Sequence, residues 1–554
     1  MEAGWKGMKF GLGKIKGALK GGPGGAEDRT ALEQEAAEQA GAEVKKGMKA
    51  EESRTGIKSG MENETSRDKP KRQARRFRLQ EERGDGEGKE GDEGKEGDEG
   101  KEGEERNGGK TGLVFFPAFD WAISPTHPER EERLLYTRDQ IFEEGLMDLP
   151  EIAEYKPRLA EYKDVARVHF CVPDVPAQAT TPHLISAGSG LVLADALMAG
   201  EIKNAFSLAR PPGHHSMRVA HGNRGFCNIN NEAILVEYLR KKYGIRKIAI
   251  VDTDVHHGDG TQEIFYHDPD VLFISFHQDG RTLYPGSGFM DELGGPKALA
   301  RTINIPLPPA TPDEGIHHVL DELVLPILKD FRPELIMNSA GQDNHYTDPL
   351  ANMRFSARGY AKLNEKLAPD IAVLEGGYAI ESALPYVNTG IILAMAGLDY
   401  SHVLEPDFTP GMFVQASRDR QVLDEIISTQ LENWANRDFL TEEALARYGD
   451  FYRHKKSIFY DTDMIQEAQE ESVRMCPKCP GYMTIDSTGQ HRHRSTKIFG
   501  VSVPIYACKE CQQEAREEYR SKLHDIRYDY IYLQDKKADR YSSYNVKTGQ
   551  ETLL

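Results

Sequence analysis

The sequence contains little of what marks a secreted or membrane protein. Six cysteines and three tryptophans occur among its 554 residues. The longest markedly apolar run, near Val387 to Leu398, is shorter than the roughly 20 residues that a membrane helix needs. The amino-terminal segment carries lysines but no continuous apolar core of a secretory signal. These absences predict no membrane partner and an intracellular location, with the cytoplasm as the default.

The balance of charge is acidic, with a net charge of −19 and 29% charged residues. This balance argues against broad, non-specific nucleic-acid binding. Residues 1–110 are rich in Gly, Lys and Glu, so we predict a disordered charged tail. Within it the basic cluster 69–78 could direct the protein to the nucleus or bind an anion, or it is only a solvated basic stretch.

Two of the cysteines, Cys171 and Cys227, stand alone, and the others form two Cys-x-x-Cys pairs. Paired cysteines at this spacing are typical of a four-thiolate structural zinc site, here with the ligands Cys476, Cys479, Cys508 and Cys511. The gap between the pairs is longer than in common zinc ribbons, so His491 or His493 could replace a ligand. A redox pair and free thiols are the alternatives. Without metal, so small a module is not expected to fold.

Strand-like and helical patterns alternate from Thr111 to about Asp399. Short continuous apolar runs predict strands at 248–251, 271–274, 335–337 and 371–374, and amphipathic runs predict helices at 232–243 and 315–329. This alternation predicts an α/β fold of three layers, αβα, with a mainly parallel sheet. Ligands of such sheets bind at the carboxyl ends of the strands.

The domain organisation follows from these patterns and from the cysteine pairs. We predict the α/β domain at 111–405, a helical linker region at 406–472, a zinc-ribbon-like module at 473–515 and a polar tail at 516–554.

Polar residues follow three of the predicted strands directly. The strand at 248–251 runs into Asp252, Asp254, His256, His257 and Asp259. Asp254 and His256 are spaced to bind one metal ion together, and a catalytic zinc needs a third protein ligand. Asp343 follows the strand at 335–337 and is the candidate, although a lone Asp there would more often be a helix cap.

Two further groups are candidates for proton transfer and oxyanion stabilisation. His214 and His215 follow a Pro-Pro-Gly turn, and imidazoles beside a metal can accept and return a proton. Asp252 and Asp259 are candidates to orient them. Tyr378 follows the strand at 371–374 after two glycines, and its hydroxyl could donate a hydrogen bond to a developing oxyanion.

These motifs, in order, make the chain similar to the histone deacetylase family, which has the arginase-deacetylase fold. The motifs are RPPGHH, GFCNINN, DTDVHHGDGTQ, SFHQDGRTLYPGSG, SAGQDNHYTDP and LEGGY. The resemblance covers roughly 113–399, and the opening His127 to Arg130 also resembles the family.

The resemblance implies a role for each matching position. It implies a catalytic zinc on Asp254, His256 and Asp343, with His215 as general base and acid and His214 mainly electrostatic. Asp252 and Asp259 would be the partners of the two histidines and Tyr378 the transition-state donor. The resemblance also implies a potassium ion at Asp252, Asp254 and Ser275, with backbone carbonyls of His256 and Phe276. Gly225, Phe226 and Tyr284 would line a narrow substrate tunnel.

The reaction that follows is zinc-dependent hydrolysis of the acetyl amide of N6-acetyl-lysine in proteins, releasing acetate. The sequence departs from the family at Thr253 and at Leu283-Tyr284, which leaves the acyl preference open. Small acetylated amines such as acetylpolyamines are the alternative substrates. A dimanganese ureohydrolase is disfavoured because His345 stands where an Asp ligand is needed, and a non-catalytic scaffold by the intact site. Nucleic acid would have to bind through the ribbon or the basic tail, and the oligomeric state is open.

Overall fold

The computed structural model describes residues 109–117, 122–123, 127–129 and 131–554. The basic cluster and nearly all of the tail that the sequence predicts lie outside the described residues.

The first part of the described chain forms an eight-stranded, wholly parallel sheet. The strand order is β2-β1-β4-β10-β9-β6-β7-β8. The strands are β1 (Lys110–Phe116), β2 (Ile152–Glu154), β4 (Ile202–Ala209), β6 (Ile248–Asp252), β7 (Val271–Gln278), β8 (Thr302–Leu307), β9 (Leu335–Ala340) and β10 (Ile371–Leu374). The two-residue strands β3 (Phe170–Cys171) and β5 (Val219–Ala220) pair with each other. The central strands are buried along their length because helices cover both faces, as in α/β proteins.

Helices on the two faces complete three layers, which confirms the predicted αβα fold. Two separate apolar cores lie on opposite faces of the sheet. The helices are α1 (Leu135–Glu143), α2 (Tyr162–Ala166), α3 (Val175–Gln178), α4 (Thr181–Ala199), α5 (Asn231–Tyr243), α6 (Asp259–Phe265), α7 (Asp313–Val319), α8 (Leu325–Phe331), α9 (Ala357–Leu367) and α10 (Leu384–Ala396). A π-helical turn, Leu320–Val324, joins α7 to α8.

Helix α4 is a longer apolar segment than the sequence analysis recognised. In the described part of the chain it alone is long and apolar enough to cross a membrane, but 67% of its apolar window is buried inside the protein. Gly188, Ser189 and Gly190 interrupt the apolar run in the sequence, but the helix continues through them. The Cβ of any other residue at 188 would lie 1.9 Å from the carbonyl oxygen of Arg158, so α4 packs too closely for a side chain there.

The region predicted to be a helical linker, 406–472, is different in the structure. Its helices are α11 (Ser417–Ala435) and α12 (Arg437–Arg447), and α11 buries Leu423, Ile426 and Trp434 in a core of the α/β domain. From Phe451 onward the chain is β-structure. The predicted linker is therefore partly an outer helix of the first domain and partly the start of a second.

The second domain spans 451–553 and includes both the predicted ribbon and the predicted polar tail. Its seven strands follow chain order: β11 (Phe451–Tyr460), β12 (Ile465–Arg474), β13 (Met483–His491), β14 (Arg494–Val503), β15 (Tyr530–Asp535), β16 (Arg540–Asn545) and β17 (Gln550–Leu553). All neighbours are antiparallel except β14 and β15, which α13 (Lys509–Lys522) connects. The predicted boundary at 473 falls in β12 and the one at 515 in α13, so both lie inside this domain.

Strand β12 was missed because most of its buried face is polar. In β12 the side chains of Glu467, Gln469 and Glu471 alternate with exposed ones, yet none is apolar. Glu471 is paired with Lys456, at 2.9 Å, and Glu467 accepts a hydrogen bond from Ser487, at 2.6 Å. Apolar periodicity, on which strand prediction depends, is therefore absent from most of β12.

The two domains share a continuous interface around β3 and β5. Apolar side chains of both domains form one cluster, including Phe170 and Val219 from the first and Ile485 and Tyr532 from the second. Polar contacts surround it, among them His221 Nε2 with Ser487 Oγ at 2.9 Å.

Candidate active site

The polar residues that the sequence singles out converge at the carboxyl ends of four adjacent strands. Asp252 ends β6, and Asp343 follows β9. Tyr378 follows β10, and the tandem histidines follow β4. Since these strands are neighbours in the sheet, residues from four distant segments meet in one place.

Two carboxylates and an imidazole form the centre of the site. Nδ1 of His256 lies 3.1 Å from Asp254 Oδ1 and 3.0 Å from Asp343 Oδ2, and one donor atom from each residue lies within 4.8 Å of the others. Both carboxylates are fully buried. Two anionic oxygens and one nitrogen are ligands that suit a borderline divalent cation such as zinc.

Gly376 allows the strand ends to approach this closely. Its N–H donates to Asp254 Oδ2 at 2.6 Å, and a Cβ at this position would lie 2.1 Å from Asp343 Oδ2. A side chain at 376 would displace the two carboxylates.

The two histidines each contact a separate carboxylate through Nδ1. His214 Nδ1 lies 3.1 Å from Asp252 Oδ2, and His215 Nδ1 lies 2.8 Å from Asp259 Oδ1. Asp259 is also held by the Arg224 guanidinium at 2.6 Å. Because each Nδ1 is engaged, the Nε2 atom is the one left to exchange a proton in the cavity.

Electrostatics separate the two imidazoles. Burial opposes protonation of both, but the carboxylates of Asp254 and Asp252 outweigh it at His214 and raise its pKa well above the usual value. At His215 burial and the neighbouring His214 lower the pKa to about 3. The adjacent rings, with centroids 4.1 Å apart, therefore differ in their affinity for a proton.

His257 and His345 do not join this group. His257 contacts Ser287 Oγ and Gln262 Oε1, both at 2.9 Å, and His345 Nε2 lies 2.8 Å from Glu405 Oε1. Both are buried, hydrogen-bonded histidines.

Tyr378 lies beside a buried charge network that the sequence analysis did not assign. Glu129 is paired with Arg133 at 2.8 Å and with Arg210, and both guanidinium groups donate to the carbonyl oxygen of Glu375. The Arg133 guanidinium lies 4.7 Å from the centre of the Tyr378 ring. Burial raises the pKa of Tyr378 well above its usual value, so its hydroxyl stays protonated as a donor. The sequence signals for this network were the Glu of the opening His-Pro-Glu-Arg motif and the Arg of RPPGHH.

The histidines, His256 and Tyr378 line one cavity of about 240 Å³. Its aromatic walls are the predicted Phe226 and Tyr284. The Phe226 ring meets Tyr378 edge to face at 5.7 Å between centroids, and Tyr284 meets His215 at 5.2 Å. One lining residue, Asp461, comes from the second domain and was missed, since no motif surrounds it in the sequence.

The remaining predicted residues are those of the potassium site and of the structural zinc site. Ser275 of β7 is in register with Asp252 of β6, and Ser275 Oγ lies 2.9 Å from His277 Nδ1, with Phe276 next in the strand. The sulfur atoms of the four paired cysteines lie within 4.8 Å of one another, while His491 and His493 lie at the turn between β13 and β14.

The fold and the site together define a class of protein, a hydrolase of the deacetylase kind. Comparisons with known proteins agree. Residues 173–393 match the family model of the histone deacetylase domain. A protein of Archaeoglobus fulgidus named "Probable deacetylase" is 44% identical over 325 residues, which cover 54% of this chain and 89% of that protein.

Two relatives of lower sequence identity also match the chain. The histone deacetylase-like amidohydrolase of Pseudomonas aeruginosa is 33% identical over 277 residues, or 48% of this chain and 67% of that protein. The crystal structure of the HDA15 HD domain aligns with 62% of this chain and 100% of that domain, with a TM-score of 0.53 and 26% identity. The chain belongs to the histone deacetylase family.

Proposed function

We propose that the protein is a zinc-dependent deacetylase that hydrolyses the acetyl amide of N6-acetyl-lysine in proteins. The observation that carries this proposal is the group Asp254, His256 and Asp343, of which His256 lines the same cavity as the histidine pair and Tyr378. Two buried carboxylates and an imidazole suit zinc, and three protein ligands leave a position open for catalysis. When bound there, zinc supplies Lewis acidity toward the acyl carbonyl and toward water.

The residues of the chain perform the proton transfers. His215, oriented by Asp259, takes a proton from the attacking water through Nε2 and returns it to the nitrogen of the departing amine. Tyr378 donates its hydroxyl to the oxygen that becomes negatively charged as the carbonyl is attacked. His214, which lies between the carboxylates of Asp252 and Asp254, adds positive charge beside the reacting group. The products are acetate and a free amine.

Two further ions belong to the proposal. A second, structural zinc would bind the four clustered thiolates, which are the ligands of closed tetrahedral sites. The potassium site rests on the family resemblance at Asp252, Asp254 and Ser275.

The test is turnover of acetyl-lysine peptides and of acetylpolyamines, with and without a zinc chelator. We expect turnover of the peptides, loss in chelator and recovery with zinc. Tyr378→Phe should lower kcat by about 10²–10³, the effect of removing one oxyanion donor. Tyr243→Phe is the matched control, because it removes a hydroxyl that donates to Asp195, outside the cavity.

Two results would count against the proposal. Turnover that is unchanged in chelator or in Tyr378→Phe contradicts the mechanism. A preference for free acetylpolyamines over peptides keeps the mechanism but replaces the substrate with small acetylated amines.

A further inference from the structure

The turn between β11 and β12 brings a residue of the second domain into the active-site cavity. The turn consists of residues 461–464, and its first residue, Asp461, lines the cavity together with the histidine pair and Tyr378. The last motif of the first domain, LEGGY, ends at Tyr378, far from Asp461 in the sequence. The two residues therefore meet only because the chain folds back.

One oxygen of Asp461 joins two walls of the cavity. Asp461 Oδ1 accepts a hydrogen bond from the Gly225 N–H at 3.0 Å and another from the Tyr284 hydroxyl, also at 3.0 Å. The first donor precedes Phe226, and the second belongs to the other aromatic wall. Both walls therefore depend on a single carboxylate for part of their position.

The wall that contains Phe226 has a conformation that needs such support. Gly225 and Phe226 both have positive φ, 52° and 68°, within a tight turn closed by two hydrogen bonds between Arg224 and Cys227. A left-handed conformation is unfavourable for a bulky residue and persists only where neighbours hold it. Asp461 accepts a hydrogen bond from the N–H of Gly225, the residue directly before the strained Phe226.

The opposite wall connects the same carboxylate to the proposed base. The Tyr284 ring packs edge to face on His215, and the Arg224 guanidinium lies 5.5 Å from its centre. Movement of Tyr284 would change both the width of the cavity and the surroundings of His215.

The turn itself is firmly docked on the first domain. Asp463 accepts a hydrogen bond from the Asn223 N–H at 2.6 Å, and the Tyr460 hydroxyl donates to the Val219 carbonyl oxygen at 2.5 Å. In β11, Lys456 lies 2.7 Å from Glu263 and 2.9 Å from Glu471, and all three are largely buried. These contacts fix the backbone from which Asp461 projects.

We propose that Asp461 is a positioning residue through which the second domain sets the width of the acyl pocket and so favours short acyl groups. This inference rests on the deacetylase function proposed above. The competing role for a carboxylate at the mouth of a cavity is capture of a cationic substrate. The shared oxygen of Asp461, already bonded to both walls, favours positioning.

The test compares acetyl-lysine and butyryl-lysine peptides with three variants. Asp461→Ala removes the acceptor, and we expect kcat/KM for the acetyl peptide to fall about tenfold. The butyryl-to-acetyl ratio of kcat/KM should rise about tenfold, the scale on which a pocket discriminates a methylene group. Asp461→Asn keeps an acceptor oxygen and should stay within about threefold of the unmodified protein on both peptides.

Asp463→Ala is the matched control in the same turn, since Asp463 bonds to Asn223 and does not line the cavity. We expect its butyryl-to-acetyl ratio to match that of the unmodified protein, because Tyr460 and Lys456 still hold the turn on the first domain. An equal change in Asp463→Ala would show that any displacement of the turn has the same effect, and would overturn the assignment to Asp461. If Asp461→Asn loses as much activity as Asp461→Ala, most of all on acetylpolyamines, the carboxylate captures charge and the proposal is wrong.

A measurement of stability, which needs no turnover, tests this inference independently of the proposed function. Asp461→Ala, Tyr284→Phe and the double variant are compared by urea unfolding. Because the two changes remove the same hydrogen bond, their effects on the unfolding midpoint should be less than additive. Additive effects together with an unchanged acyl ratio overturn the inference and leave the deacetylase intact. Non-additive effects in a protein that hydrolyses no acyl-lysine would reject the function but keep the contact.

Discussion

The two clusters of candidate metal ligands have different structural support. The Asp254, His256 and Asp343 cluster stands at the ends of fully buried strands, between two large apolar cores. The four-cysteine cluster lies where β12 leads into a loop and α13 begins, with Cys479 and Cys508 half-buried. Its domain has a smaller core, built around α13 and strands β14 and β15.

The fold imposes the geometry of the first cluster, whereas a metal ion would impose that of the second. The strands bring the carboxylates together through main-chain pairing and Gly376, so the fold itself assembles the first cluster. The cysteines come from the loop after β12 and from the start of α13, and charge repulsion between thiolates opposes their approach. We therefore expect the first domain to fold without metal and the second to be stabilised by it, although its own core makes it less dependent than an isolated ribbon.

The largest effect should come from the first domain and should be on catalysis alone. His215→Ala removes the proposed base, and we expect kcat to fall by about 10²–10⁴. The unfolding midpoint should change little because Asp259 remains paired with Arg224. His318→Ala serves as control, since His318 is paired with Asp424 on the outside of the domain. A variant with full activity would remove His215 from the mechanism.

In the second domain we expect the opposite, an effect on metal content and stability. Cys476→Ser removes one thiolate, and we expect the protein to lose one equivalent of zinc and on the order of 3 kcal/mol of unfolding free energy. Metal analysis and urea unfolding measure the two effects. Cys171→Ala, at a lone buried cysteine in β3, should keep the full metal content. Equal metal content in Cys476→Ser would show that this cluster holds no zinc.

The same contrast explains what the sequence allowed us to predict. The α/β fold was predictable because its strands are apolar runs and its polar residues cluster directly after them, as in the segment from Ile248 to Asp259. Strand β12 of the second domain was not, because it buries Glu467, Gln469 and Glu471 in place of apolar residues. Asp461 is a pocket residue only because the two domains dock, and docking leaves no local pattern in the sequence.

The interface between the domains should respond to acid. Burial lowers the pKa of His221 to about 4, below its unfolded value of about 6.5. The unfolded chain therefore takes up a proton below pH 6.5 that the folded protein refuses until near pH 4, and stability falls as the pH decreases through this window. Between pH 7 and pH 5 His221 alone contributes a loss of about 2 kcal/mol.

Urea unfolding of His221→Gln isolates this contribution. The variant keeps a polar side chain near Ser487 and should show a smaller loss between pH 7 and pH 5. The comparison is needed because burial raises the pKa of Glu467 to about 7, which acts in the opposite direction. An unchanged pH dependence would mean that His221 is not the group that titrates.

The smallest effect should come from the contact that joins the first domain to the cysteine cluster. Lys297, in the loop between β7 and β8, donates its ammonium group to the carbonyl oxygens of Cys476 and Cys479. Lys297→Met should lower the unfolding free energy of the second domain by about 1 kcal/mol, the net value of such hydrogen bonds at a half-buried site. It should also speed zinc release to a competing chelator, because a cation near four thiolates favours their charged form. Lys329→Met, at an exposed lysine of α8, is the matched control. If both variants release zinc at the rate of the unmodified protein, the two domains are joined at the cysteine cluster by packing alone, and Lys297 contributes nothing to metal retention.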